Sequence, residues 1–321
     1  MRGSGTTSQL CLLPWAVKPH PVRGVSRDRL EGTIQAEGNE SALAEELVLS
    51  NPRNAAPAVP SGAERAWDDL LEGMRRWELW STLGWHDIRR RYRRSSLGPF
   101  WLTLSMAAMV AGIGFLYAGL FGQAVPDYLP YLSLGLILWN LIASFLNEGC
   151  TCLTSASGPI KQVKAPISVY IYRSAWTNIL VFLHNLAIIP VVFLIFRVEV
   201  GLVALWAIPG LVLLCLACIG MSVVLAILSA RFRDVPPIVA MIVQFAFFFT
   251  PVIWQIQQLP GRSILVELNP FYYLMEVVRA PLLGSMPSLQ LWAGTVVIVI
   301  ASWIMAFAFF MRYRQRVSYW V

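Results

Sequence analysis

The sequence predicts an all-α integral membrane protein. It has six transmembrane helices, an N-terminal amphipathic helix, and a re-entrant pair of short helices between the fifth and sixth spans. Three observations carry this prediction. Of 321 residues, 57% are hydrophobic and 13% charged, with a mean hydropathy of +0.60, whereas a water-soluble domain carries roughly a quarter charged residues. Apolar runs of about 20 residues recur, the length that crosses about 30 Å of hydrocarbon. Lys and Arg gather at alternate ends of those runs.

Residues 1 to about 60 differ from the rest, with Gly, Ser, Pro, Asn and scattered charge. Their one apolar patch, Cys11 to Val17, is broken by Pro14 and is too short for a signal or a span. The stretch reads as a disordered cytosolic tail, or as the trace of a mis-assigned start. Order begins at Ser61, which forms a capping-box pattern with Glu64. Trp67, Leu70, Leu71, Met74, Trp77, Trp80 and Leu83 then recur at helical spacing. Asp68, Asp69, Glu72, Arg75, Arg76 and Glu78 take the other face. A tryptophan-rich apolar face suits the headgroup boundary. Residues 61–98 thus form an amphipathic helix and a basic anchor, and 99–321 the membrane domain.

The anchor HDIRRRYRRSSLGPFW packs Arg89, Arg90, Arg91, Arg93 and Arg94 ahead of Gly98-Pro99. Clustered arginines are costly to carry across a bilayer and favourable beside anionic headgroups, so they hold this end in the cytosol. The expected spans are Phe100 to Phe121, Tyr131 to Asn147, Ser174 to Phe196, Gly201 to Ala230 kinked at Pro209-Gly210, Pro236 to Trp254, and Leu289 to Met311. With the N-terminus inside, the five arginines, Lys161, Lys164, Arg173, Arg231, Arg233, Arg312, Arg314 and Arg316 share the inner side. Arg197, Arg262 and Arg279 are left outside. Both ends of the domain are therefore expected in the cytosol.

Between the fifth and sixth spans, LNPFYYLMEVVRAPLLG is too apolar for a loop and too interrupted for a span. Asn269-Pro270 can start a short helix, and Pro281 and Gly284 can end it. Non-helical backbone at membrane depth must be covered by protein or line a water-filled cavity. That favours two short helices re-entering from the outer face, with an ordinary loop on the membrane surface as the alternative.

Enzyme chemistry has little to stand on. His20, His86 and His184 lack partners at ligand or triad spacing, and the CxC of Cys150 and Cys152 and the CxxC of Cys215 and Cys218 read as helix packing. Lys18, Lys161 and Lys164 are the only lysines and none follows a glycine, so the chain has no P-loop. No cofactor is expected, and any ATP is bound by another polypeptide. The charge of +7 sits at span ends, so topology explains it without nucleic acid.

Two stretches, DIRRRYRRSSLGPFW (Asp87 to Trp101) and NPFYYLMEVVRAPLLG (Asn269 to Gly284), resemble the membrane subunit of type-2 ABC exporters of the polysaccharide and O-antigen branch. The ending Tyr319-Trp320-Val321 is similar to that branch too. The resemblance covers about Ala63 to Val321. It implies a homodimeric permease in the bacterial inner membrane, docked on two ATPase subunits and exporting a glycan on a polyprenyl diphosphate. It further implies that the amphipathic helix is an interface helix beside the ATPase. The coupling helix would lie at Gly158 to Pro166, with Pro159, Ile160, Lys161, Gln162 and Lys164. A periplasmic gate would contain Asn269, Pro270, Tyr272, Tyr273, Glu276 and Arg279.

A diphosphate needs fixed cations, which makes Arg89, Arg91, Arg93 and Arg94 headgroup candidates, with lipid anchoring as the plainer role. A sugar chain favours aromatic faces, and Trp139, Phe145, Phe245, Phe248 and Trp254 are candidates for the channel. Interfacial belts and helix packing use the same residues. A teichoic acid, capsule or other lipid-linked cargo stays open as the alternative substrate. A membrane-embedded glycan-modifying enzyme would need a catalytic set that is not found.

Overall fold

The computed structural model describes residues 61–91, 93, 98, 100–163, 165–256 and 266–321. Every regular element among them is helical. The expected tail of residues 1–60, Arg94, Lys164 and Arg262 lie outside the described residues.

The helix expected after Ser61 is two helices, α1 (Gly62–Arg75) and α2 (Trp77–Arg91), interrupted at Arg76 with φ −83° and ψ 40°. The capping box is present: Ser61 N donates to Glu64 Oε2 at 2.7 Å, and Glu64 N donates to Ser61 Oγ at 3.2 Å. The division of faces differs from expectation. Leu70 is buried, but Trp67, Met74 and Trp77 point outward, and Asp69, assigned to the polar face, is only 4% exposed. The helices pack on protein along one side, so the tryptophan stripe is left for an outer environment while a carboxylate turns inward.

The next two helices are α3 (Phe100–Phe121), with the bounds expected, and α4 (Val125–Thr151). The latter starts six residues earlier than expected, because Pro126 is tolerated in a first turn where the amide has no helical partner. At 27 residues it is about 40 Å long. It is the central rod, buried along most of its length and packed against α3 and most of the helices that follow.

A turn of 3₁₀ helix (Thr154–Ala156) leads to the short α5 (Ser157–Gln162). The third span is α6 (Ser168–Leu186) and α7 (Ile188–Phe196), separated at Ala187. Pro190 has no N–H for the Leu186 carbonyl, which accounts for the break. The fourth span opens as a 3₁₀ segment (Leu202–Trp206) and continues as α8 (Ala207–Arg231). Pro209, where a kink was expected, falls in the first turn of α8, just after the change from 3₁₀ to α geometry, and its missing N–H costs no helical partner there.

The fifth apolar helix, α9 (Val235–Phe249), has 15 residues, about 22 Å, rather than reaching Trp254. Pro251 disfavours helix at Thr250, which is extended with ψ 137°. After it come α10 (Pro270–Leu282) and α11 (Leu289–Trp320). The latter runs past Met311, so Arg312, Arg314 and Arg316 continue the helix. Among the described residues, five helical segments are long and apolar enough to cross a membrane, and α9 is a shorter apolar helix.

Lipid tails are as apolar as leucine, so these helices gain by close approach more than by hiding from water. Glycines supply it. A Cβ on Gly149 of α4 would lie 2.9 Å from the Ser222 side chain of α8. On Gly210 and Gly220 it would lie 2.7 Å from the Val277 carbonyl of α10 and from Ser302 Oγ of α11.

Candidate functional site

Two polar sites stand at opposite ends of α4. At the Thr151 end, α2, α4 and α6 enclose a cavity of about 580 Å³ lined by Asp87, Arg90, Arg91, Glu148, Tyr170 and Arg173, among others. Asp87 organises it. One oxygen accepts Arg173 Nε at 2.5 Å, and the other accepts Arg173 Nη2 at 2.6 Å and Arg90 Nη2 at 2.9 Å. Arg91 Nη2 donates to Glu148 Oε1 at 3.2 Å. Three guanidinium groups thus meet two carboxylates, an excess of positive charge that suits an anion with several oxygens.

Of the arginines singled out from the sequence, Arg91 lines this cavity. Arg89 and Arg93 are exposed and are not among its walls, and Arg94 lies outside the described residues. Sequence reasoning missed Arg90 as a site residue and treated Arg173 as a topology marker. A helical register would have found Arg90, three residues after Asp87. Nothing local signals Arg173, 86 residues away. Cys152 also borders the cavity, and burial pushes its thiol up to about 12, away from the reactive thiolate.

Beside this cavity α5 carries Pro159, Ile160, Lys161 and Gln162, with Lys164 outside the described residues. It lies largely on the surface, half-buried Ile160 packing into the core at this end, and Lys161 Nζ donates to the Val321 carbonyl at the tip of α11 at 2.8 Å. Asp69 joins the same region together. Its carboxylate accepts from Ser168 N at 3.1 Å, Ile167 N at 3.3 Å and Arg314 Nε at 2.8 Å, while Ser168 Oγ donates to its carbonyl at 2.6 Å. The carboxylate caps the start of α6, where unpaired amides favour negative charge. It also neutralises a cation of α11.

At the Val125 end, the chain leaving α9 at Thr250 to Trp254 is irregular, and side chains from α4 and α10 satisfy its carbonyls. Arg279 Nη1 donates to Pro251 O at 2.7 Å, and Tyr128 donates to Ile253 O at 2.7 Å. The Tyr131 hydroxyl lies 3.0 Å from both Pro251 O and Trp254 O, its one proton serving one at a time. Gly135 lets the irregular chain approach, since a Cβ there would lie 2.7 Å from Val252 O. Arg279 is 1% exposed and ion-paired with Glu276. Asn269 caps α10, accepting from Phe271 N at 3.0 Å, and its amide donates to Thr250 Oγ1 at 2.8 Å. Pro270 opens the helix, and Tyr272 and Tyr273 pack ring edge to face, 5.5 Å between centroids. Of the six gate residues named from the sequence, Asn269, Glu276 and Arg279 belong to this network. Tyr128, Tyr131 and Gly135 were missed.

The aromatic candidates divide. Trp139 and Phe145 are buried inside the bundle, Trp139 between Phe247 and Phe271 with centroids at 5.8 and 5.6 Å. Phe245 and Phe248 are about 60% exposed on α9, and Trp254 is half-buried. His184 Nδ1 lies 2.7 Å from Leu180 O within its own helix. Among the described residues, no group of three His, Cys, Asp or Glu side chains could hold a metal.

Residues 78–283 match the family model of the ABC-2 type transporter. Over 201 residues the chain is 25% identical to the O-antigen export system permease protein RfbA of Myxococcus xanthus, covering 60% of this chain and 76% of that protein. Over 186 residues it is 24% identical to a protein of the same description from Klebsiella pneumoniae, covering 57% and 72%.

Proposed function

The chain belongs to the ABC-2 type transporter family, and on that footing we propose that it is the permease subunit of an ABC exporter for an O-antigen-like polysaccharide carried on a polyprenyl diphosphate. The observation that carries this reading is the similarity to O-antigen export permeases over more than half of this chain and about three quarters of theirs. As a family of transporter permeases it is not one of enzymes, and ATP is bound by a separate ABC ATPase.

In this reading the permease is a homodimer in the inner membrane with two ATPase copies. Its ends are cytosolic, and α9 with its irregular extension serves as the fifth of six crossings. Helices α1 and α2 lie along the cytosolic boundary. Helix α5 receives ATPase motion, and its link to α11 through Lys161 passes that motion to a helix that packs on α10. Helix α10 re-enters from the outer face as a gate, and the short helix expected before it falls mostly outside the described residues. The cavity of Arg90, Arg91 and Arg173 receives the lipid diphosphate, and exposed Phe245 and Phe248 are available to stack on sugars.

Deletion of this permease in its host tests the reading. Polyprenyl-linked glycan is expected to accumulate on the cytosolic side and to reach the surface again on complementation, and the tagged permease is expected to copurify with an ABC ATPase. Unchanged surface polysaccharide in the deletion strain would overturn it.

A further inference from the structure

A second arginine pair lies away from the Asp87 cavity, in a groove between the last turn of α8 and the C-terminal part of α11. The groove measures about 420 Å³, with Leu228, Phe309 and Tyr313 among its walls and Arg231, Arg316 and Trp320 at its rim. That volume falls within the range of about 300–1,000 Å³ usual for ligand pockets. The Arg231 guanidinium lies 5.6 Å from the Trp320 ring centroid and 5.7 Å from that of Phe232. Ring contacts of this kind hold a cation in place without neutralising it. Neither Arg231 nor Arg316 forms an ion pair among the described residues.

The apolar wall does not stop at the groove. Exposed Val297 and Met305 continue along α11 in the helical register that leads to Phe309, Tyr313 and Arg316. An outward apolar stripe therefore ends in two arginines, with Trp320 and Tyr313 at the same level. Tryptophan and tyrosine mark the headgroup level of a bilayer, and arginine donors match phosphate oxygens there. An acyl chain fits the stripe, and an anionic head fits the rim. A protein surface would more simply present carboxylates to the arginines and would leave the stripe without purpose.

We infer that this groove binds one anionic phospholipid of the surrounding leaflet, its phosphate held by Arg231 and Arg316 and its first methylenes lying on Leu228 and Phe309. The inference needs only that the chain sits in a membrane, and it is independent of the cargo exported.

Native mass spectrometry of the full-length protein from neutral detergent tests it, with phosphatidylglycerol and phosphatidylcholine of identical acyl chains as probes. The wild-type protein is expected to retain phosphatidylglycerol preferentially. The double variant Arg231→Gln/Arg316→Gln should lose roughly tenfold of that retention, since each juxtamembrane cation adds materially to anionic-lipid affinity. Arg197→Gln, at the other end of the bundle, should keep it. Leu228→Trp fills the trough with both arginines intact and should lower retention as well. Glycerol phosphate at millimolar concentration should not displace the lipid.

Wild-type retention in both groove variants would overturn the inference. So would full displacement by glycerol phosphate, which would mark a soluble-anion site. Loss of a copurifying ATPase with lipid retention unchanged would mark a protein contact instead.

Discussion

Arg279 and Tyr131 stack, the guanidinium 4.0 Å from the ring centroid, and both reach the carbonyl oxygen of Pro251. The pair joins α10 to α4 across the irregular chain that leaves α9. A cation 1% exposed in such a place is held by everything around it. Replacing Arg279 with Met leaves Glu276 and a carbonyl unpaired and should cost about 3–5 kcal/mol. Tyr131→Phe should cost about 1 kcal/mol, and the two losses should fall short of additivity. Thermal unfolding of the single and double variants in one detergent measures this, and strict additivity would refute the coupling.

Asp69 offers a second test because it ties three elements together with one carboxylate. Asp69→Asn keeps the volume but removes the charge facing Arg314 and replaces one acceptor with a donor, which must then meet either Ser168 N or the pair Ile167 N and Arg314 Nε. A loss of roughly 2–4 kcal/mol is expected. Asp69→Leu with Arg314→Met removes both charges and should recover part of the stability lost by Asp69→Leu alone. A double variant no better than the single one would show that the amides of α6, not the ion pair, carry the contact.

The glycine contacts predict where bulk is refused. Gly220→Leu should destabilise by about 1–3 kcal/mol or block accumulation, because Ser302 and its backbone stand where the side chain must go. Gly112→Ala, with nothing within 4 Å of the added carbon, should be neutral or slightly stabilising. Membrane abundance of the two variants, compared by immunoblot, distinguishes them.

The Asp87 cavity predicts an ordering among arginines. At equal membrane abundance, Arg90→Gln and Arg91→Gln should each lower glycan export by about tenfold, the loss of one charge-assisted hydrogen bond. Arg89→Gln should change it little, since Arg89 is exposed and not among the cavity's walls. Equal export in all three would remove the cavity from the transport path.

Several elements were legible without coordinates because their causes are local. The bounds of α3, the Ser61–Glu64 cap and the Asn269-Pro270 start of α10 follow from apolar length and capping chemistry within a few residues. The start of α4 lies earlier than expected because Pro126 and Asp127 read as a loop until neighbouring helices cover them, and that of α6 because Arg173 and the lysines before it read as one polar segment. Helix α9 was drawn too long for a related reason. The apolar run continues through Val252 and Ile253, but Pro251 ends the helix and Tyr128, Tyr131 and Arg279 make the irregular chain tolerable.

By itself the sequence determined that this chain lives in a membrane as a set of apolar helices, and which ends of the apolar runs hold the cations. Those properties sum residue by residue along the chain, as transfer energies and charges do. Only the tertiary structure decided which charges are paired and which cavity they face. Asp69 and Arg314 are 245 residues apart, and Asp87 and Arg173 are 86. A buried charge is stable only when a partner stands within a few ångströms. That partner is chosen by how the helices pack, which no stretch of sequence contains.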